Sequence, residues 1–268
     1  MKTSEHIRGL AHEGRALAAA AVGAGPGAEV PVCPGWRVRD VLRHTGSVHR
    51  WATAYVTEGG AARVPLPASP ELDGDALVDW FREGHDRLVG ALDTAPADLE
   101  CWSFLPAPSP LAFWARRQAH ETAIHRVDAE SALGNGFSAV DAAFAADGID
   151  ELLRHFHARD RSRVRSDVPR VLRVRTTDTG DVWTVRITSD PVRTDHTKAP
   201  GPAADDGGSN GNSNDTGTGT GEQATAECEL SGPAEKLYLT VWNRLPLDAV
   251  TVTGDAALAR MWRETSAV

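Results

Sequence analysis

The segment FWARRQAHETAIHRVDAE, at residues 113–130, carries side chains that could do chemistry together. If it is a helix with 100° per residue, Trp114, Arg117, Glu121, His125 and Asp128 follow one narrow stripe along its surface. Core residues normally occupy such a stripe, and charges buried there without partners are strongly destabilising. The stripe therefore either faces water or lines a site.

Glu121 and His125 stand four residues apart, so their side chains project from the same helix face and can bind one metal ion. The next potential ligands are His44, at the edge of an apolar stripe, and His49, near its centre. Two imidazoles, one carboxylate and an open position are typical of a catalytic divalent ion, with zinc the natural choice and iron, manganese or nickel also compatible. The alternative is a solvated surface pair.

Other polar residues of this segment have structural interpretations as well. His120 is predicted to pack, or to support the ligands, rather than to bind the metal. Asp128 could fix the imidazole tautomer of a ligand histidine, or form a salt bridge with Arg126 or Arg117. Two residues on an upstream Pro-rich loop are assigned no reaction: Trp36, which is predicted to pack the bundle, and Cys33.

Helical periodicity predicts the elements that must position these residues. Apolar residues recur every three to four positions in five segments, at residues 3–22, 38–57, 77–92, 111–133 and 138–159. Pro-rich loops separate several of them. Helices joined by short connections predict an antiparallel bundle of four or five helices at residues 1–160.

The pattern changes to alternation after residue 165, which predicts a small α+β domain at residues 165–268. Its predicted elements are strands at 170–178 and 181–190 around a Thr179–Gly180 turn, a strand at 226–230, a helix at 231–245, a strand at 249–254 and a helix at 255–264. A Gly/Ser/Asn/Thr-rich stretch at about 196–225 is predicted to be a disordered insertion. The fold class is thus α plus α+β.

Composition restricts the partners. The net charge of −9, from 28 Lys and Arg against 37 Asp and Glu, argues against nucleic acid or an anionic membrane as the main partner. The three cysteines are widely spaced and predict neither a disulfide framework nor a thiolate zinc site. Since no apolar run is long enough to span a bilayer, we expect a cytoplasmic protein. We also expect a monomer.

CPGWRVRDVLRHTGSVHRWA and RRQAHETAIHRVDAE resemble two signature segments of the mycothiol-dependent maleylpyruvate isomerase family of actinobacteria. TGDVWTV, ELSGPAEKLYLTVWNRLP and VTGDAALARMW resemble its smaller C-terminal domain, so the resemblance covers most of the chain. It implies a DinB-like, metal-binding, antiparallel four-helix bundle followed by a sterol-carrier-like α+β domain. Carried over to this sequence, the family's metal ligands fall on His44, Glu121 and His125.

The resemblance also implies a mechanism with Zn²⁺, or another divalent metal, and mycothiol as thiol cosubstrate. The metal lowers the pKa of the thiol, whose thiolate adds to the double bond of a cis-enedioate and leaves after bond rotation. Arg244 matches the arginine that holds substrate charge. We therefore expect a zinc- and mycothiol-dependent isomerase or thiol S-transferase acting on a small electrophile. The alternative is a non-catalytic metal-containing protein that binds a small molecule or has a regulatory role.

Overall fold

A computed structural model describes residues 1–198 and 225–267 of the chain. The chain divides into two compact units, a first unit of Met1–Gly148 with Trp242–Leu245 and a second unit of Ile149–Val241 with Pro246–Val268. The first is helical and the second combines a mixed sheet with helices, so the predicted α plus α+β fold class is confirmed. Within the described residues, every helix is too short or too polar to cross a membrane.

Four long helices build the first unit: α1 (Thr3–Ala24), α2 (Val38–Glu58), α3 (Gly74–Thr94) and α4 (Pro110–Ser131). Their bounds lie within one turn of those that the apolar periodicity predicts. α1 packs against α3 and α4, and α2 packs against the same two helices. The start of α4 is defined by Ser109, whose Oγ accepts a hydrogen bond from the Ala112 N–H at 3.1 Å, with Pro110 at the first helical position.

α4 is buried on several sides although it is rich in charged residues. The side chains are paired: Arg117 lies 3.2 Å from Glu121, and Arg126 lies 2.6 Å from each of Glu13 and Glu130. The stripe predicted either to face water or to line a site is thus largely buried, with ionic partners that compensate its charge.

The fifth predicted helix is shorter and less regular than expected. α5 spans Ala142–Asp150 and a π-helical segment follows at Glu151–Phe156, whereas the periodicity predicts one helix over residues 138–159. The start is later because the Asp141 carboxylate accepts a hydrogen bond from the Phe144 N–H at 3.0 Å, as an N-cap does. Residues from Ile149 onward group with the second unit.

The second unit contains a five-stranded sheet of order β3-β2-β1-β4-β5. The strands are β1 (Arg170–Thr176), β2 (Asp181–Ile187), β3 (Arg193–Lys198), β4 (Cys228–Gly232) and β5 (Thr251–Gly254). β1 and β2 form the predicted antiparallel hairpin, with Gly180 in the turn at a φ of 73°, and β4 runs parallel to β1. α6 (Ala234–Val241) and α7 (Ala256–Thr265) pack against β1 and β4.

Two predictions in this unit were wrong in detail. β3 was not predicted, because this edge strand is mostly exposed and lacks alternating apolar residues; it includes residues 196–198 of the predicted insertion. The rest of that insertion, residues 199–224, lies outside the described residues. α6 begins after Pro233 rather than at Ser231, because Ser231 and Gly232 pair in β4.

Buried His157 makes the stability of the second unit depend on pH. Its ring packs on Trp262, and its Nδ1 lies 3.0 Å from the Ser162 hydroxyl. Burial, assisted by Arg159 and Arg165, lowers the pKa of His157 from its ordinary 6.5 to about 3. Because the unfolded chain takes up this proton first, stability should hold above pH 6.5 and fall below it, by up to about 1.4 kcal/mol per pH unit.

Thermal unfolding of wild type and His157→Gln at pH about 7.5 and about 4.5 measures this effect. We expect wild type to lose more stability than the variant between the two pH values. An equal loss in both proteins would contradict the prediction.

Candidate metal centre

α2 and α4 bring together the three residues that are predicted to bind a metal. Nε2 of His44 lies 3.1 Å from Oε1 of Glu121, and Nε2 of His125 lies 3.3 Å from the same oxygen. The three potential ligand atoms lie within 4.8 Å of one another. Glu121 and His125 share a face because four residues make about one helical turn, and the packing of α2 on α4 adds His44.

Hydrogen bonds decide the protonation states of Glu121 and His125 in this cluster. Burial alone would raise the pKa of Glu121, but hydrogen bonds from His125 and His44 hold it well below its usual range. Burial would lower the pKa of His125, whereas its hydrogen bonds to Asp128 and Glu121 raise it to about 9. Glu121 is therefore an anion at neutral pH, as a metal-binding carboxylate must be.

The donor set fits a divalent transition metal. Two imidazole nitrogens and one carboxylate oxygen suit zinc and its first-row neighbours. The Nδ1 of His125 lies 2.8 Å from Asp128, which holds a proton on Nδ1 and leaves Nε2, beside Glu121, as the nitrogen that would release its proton to bind a metal. The His44 side chain is 34% exposed and that of Glu121 is 22% exposed, so a further ligand can approach from solvent.

His49 does not join this group. It is fully buried, and its Nε2 lies 2.8 Å from the Thr122 hydroxyl. Its ring contacts those of Phe81 and His85, and burial holds its pKa well below the usual range. Of the two histidines that the residue pattern left open, the structure brings His44 to the Glu121 carboxylate.

His120 belongs to a second group of potential ligands, with His6 and Asp147. The Nε2 atoms of His120 and His6 lie 2.8 and 2.9 Å from Oδ2 of Asp147. Arg116 donates to the same oxygen at 2.8 Å, and the amino group of Met1 lies 3.6 Å from the other. Because positive groups already surround this carboxylate, we interpret the group as an ion-pair network that ties the N-terminus to α4 and α5.

Asp128 connects His125 to Arg244. The carboxylate is fully buried; Oδ2 lies 2.8 Å from Nδ1 of His125, and Arg244 donates from Nε to Oδ1 at 2.8 Å and from Nη2 to Oδ2 at 2.9 Å. Burial alone would raise the pKa of Asp128, but these hydrogen bonds lower it to about 2. Arg126 and Arg117, which the sequence offers as alternative partners, pair with other carboxylates.

The segment Trp242–Leu245, which carries Arg244, groups with the first unit. Asn243 adopts a φ of 63°, a conformation that asparagine tolerates better than most residues, and so turns the chain after α6. Nη1 of Arg244 donates to the Trp242 carbonyl at 2.8 Å. With Nε and Nη2 on Asp128, three of the five N–H groups of Arg244 are used within the described chain, which leaves two for a ligand.

Trp36 forms a wall of this centre, a role that the sequence analysis missed. Its indole lies parallel to the His125 ring, at 7° and 6.0 Å between centroids, and edge-on to His44 at 5.4 Å. The available signal was its position two residues before the helix that carries His44. Nearby Cys33 is a poor nucleophile, because burial and then the charge of Asp128 raise its pKa to about 11.

Two domain families match this chain, and together they cover most of its length. The mycothiol maleylpyruvate isomerase N-terminal domain matches residues 7–130, and the MDMPI C-terminal domain matches residues 143–260. No match is found among curated protein sequences.

Two solved structures share this fold. A mycothiol-dependent maleylpyruvate isomerase is 15% identical with a TM-score of 0.59, and a histidine-to-alanine mutant of such an enzyme is 13% identical with a TM-score of 0.60. Each alignment covers 96% of this chain and 95% of the other. Because both domains match in the same order, the chain belongs to the mycothiol-dependent maleylpyruvate isomerase family.

Proposed function

We propose that this protein is a zinc- and mycothiol-dependent enzyme that isomerises a small electrophile or transfers the thiol to it, with maleylpyruvate as the first substrate to test. The observation that carries the proposal is the convergence of His44, Glu121 and His125 around one partly exposed point. Family membership supports the thiol and the substrate class.

Each residue of the metal centre has a separate role in the proposed reaction. His44, Glu121 and His125 would hold the ion, and a bound zinc ion would act as a Lewis acid that lowers the pKa of a thiol. Trp36 lies parallel to the ring of His125 and forms one wall of the centre. The two remaining N–H groups of Arg244 can receive a carboxylate or an enolate oxygen.

The proposed isomerisation consumes no thiol. The thiolate sulfur forms a bond to one alkene carbon of the cis-enedioate, and the electron pair of the double bond moves to the conjugated carbonyl oxygen, where Arg244 would stabilise it. After rotation about the new single bond, the pair returns, the C–S bond breaks and the trans product leaves with the thiolate regenerated. In a transferase reaction, a proton instead quenches the enolate and the thioether remains.

Incubation of the zinc-loaded protein with mycothiol and maleylpyruvate, followed by NMR, tests the proposal. A panel of other electrophiles, analysed by mass spectrometry for thioethers, tests the transferase reaction. We expect conversion only with both metal and mycothiol, loss after chelation, recovery on adding zinc, and less conversion with glutathione. Zinc-loaded protein that converts neither maleylpyruvate nor any electrophile of the panel would refute the proposal.

A further inference from the structure

We infer that Asp128 is a positioning residue that orients a metal-binding imidazole and Arg244 with one carboxylate. The inference deepens the proposed function, and its His125 half rests on the proposed metal site. The carboxylate is fully buried, and its Oδ2 contacts both His125 Nδ1, at 2.8 Å, and Arg244 Nη2, at 2.9 Å.

The contact with His125 decides which imidazole nitrogen can bind a metal. Only a ring nitrogen without a proton can do so, and a carboxylate acceptor at Nδ1 keeps the proton there. His125 and Asp128 are three residues apart on α4, so the helix itself holds the pair in register. Asp128 thereby keeps Nε2 of His125 directed toward Glu121, where its distance to Oε1 is 3.3 Å.

The contact with Arg244 fixes the orientation of the guanidinium. Its Nε and Nη2 form two parallel hydrogen bonds with the carboxylate, at 2.8 and 2.9 Å. If Arg244 left Asp128 to bind a substrate, the buried carboxylate would lose both of its hydrogen bonds to the guanidinium, which is costly. Arg244 therefore stays on Asp128 and holds in a fixed direction the two N–H groups that have no acceptor among the described residues, so the substrate anion must approach it.

Metal affinity tests the His125 half of the inference. Zn²⁺ and Co²⁺ binding, measured by competition with a chelator and by the visible spectrum of Co²⁺, should be compared for wild type and Asp128→Asn. Loss of an outer partner of a ligand histidine typically weakens metal binding by about 10–100-fold, and we expect that loss with an altered Co²⁺ spectrum and a retained helical circular-dichroism signal.

Asp147→Asn is the matched control, because Asp147 is also a mostly buried carboxylate held by histidines and an arginine in the first unit. It should bind metal within about twofold of wild type, since sites that share no partner act independently. Wild-type affinity and spectrum in Asp128→Asn would overturn the inference. Wild type that binds no metal would instead overturn the proposed metal site.

A double-mutant cycle tests the Arg244 half without metal. Arg244→Met leaves the buried Asp128 carboxylate with His125 but without its guanidinium partner and should lower the melting temperature. Adding Asp128→Asn should restore part of the loss, because the poorly compensated charge is then gone. Arg244→Lys keeps the positive charge, so its melting temperature should fall less than that of Arg244→Met. Losses that simply add in the double variant would overturn the coupling between the two side chains.

Discussion

Replacing His125 with alanine should abolish stoichiometric zinc binding while the helical circular-dichroism signal persists. The change leaves two of three potential ligands, His44 and Glu121, whose atoms lie 3.1 Å apart. Since loss of an outer partner alone costs about 10–100-fold in metal affinity, loss of a ligand should cost more than about 100-fold. Dialysis against limited free zinc followed by elemental analysis measures the occupancy.

The two histidines of α2 supply the discriminating controls. His44→Ala should lose zinc as His125→Ala does. His49→Ala should retain it and instead unfold at a lower temperature, because His49 is fully buried and bonded to Thr122. Full zinc occupancy in His125→Ala, or loss of zinc only in His49→Ala, would refute the ligand assignment.

Replacing Arg126 with methionine should destabilise the first unit strongly. Arg126 is 1% exposed and lies 2.6 Å from the carboxylates of Glu13 and Glu130, each 6% exposed. Methionine keeps much of the aliphatic volume but leaves two buried carboxylates without their cation. Breaking a buried ion pair in this way costs about 3–5 kcal/mol, so the melting temperature should fall by about 6–20 °C.

Two further variants show whether the buried charge is the cause. Adding Glu13→Gln to Arg126→Met should restore part of the loss, because one uncompensated carboxylate is removed. Arg82→Met breaks an exposed pair with Asp79 and should change the free energy of unfolding by less than about 0.5 kcal/mol. Equal losses in Arg126→Met and Arg82→Met, measured by thermal unfolding, would contradict the prediction.

Most of the helices and strands that periodicity predicted well bury one apolar face. α1 to α3 bury aliphatic and aromatic residues at helical spacing, and β1 and β2 alternate buried with partly buried or exposed residues. α4 was predicted as well, although it is buried on several sides. Two elements escaped prediction for opposite reasons. β3 is held by main-chain pairing with β2 and exposes most of its side chains, whereas the π-helical segment keeps an apolar pattern that resembles an ordinary helix.

The candidate site was predictable in part. Glu121 and His125 are related by local spacing alone, so the sequence indicated them as a pair. His44 and His49 lie on the same predicted helix, and spacing could not decide which one meets α4; the family resemblance selected His44. The sequence places Trp36 two residues before the helix of His44, but that position alone did not show that its ring would lie against the two histidines.

The sequence by itself determined which residues share a helix face, because that depends only on the 3.6-residue repeat of the α-helix. It also determined the order of a helical bundle followed by an α+β unit. Only the tertiary structure decided how the buried charges pair. Asp128 and Arg244 are 116 residues apart in the chain. A buried carboxylate is stable only beside a cation or hydrogen-bond donors, and the packing of distant segments determines which of these lie close to it.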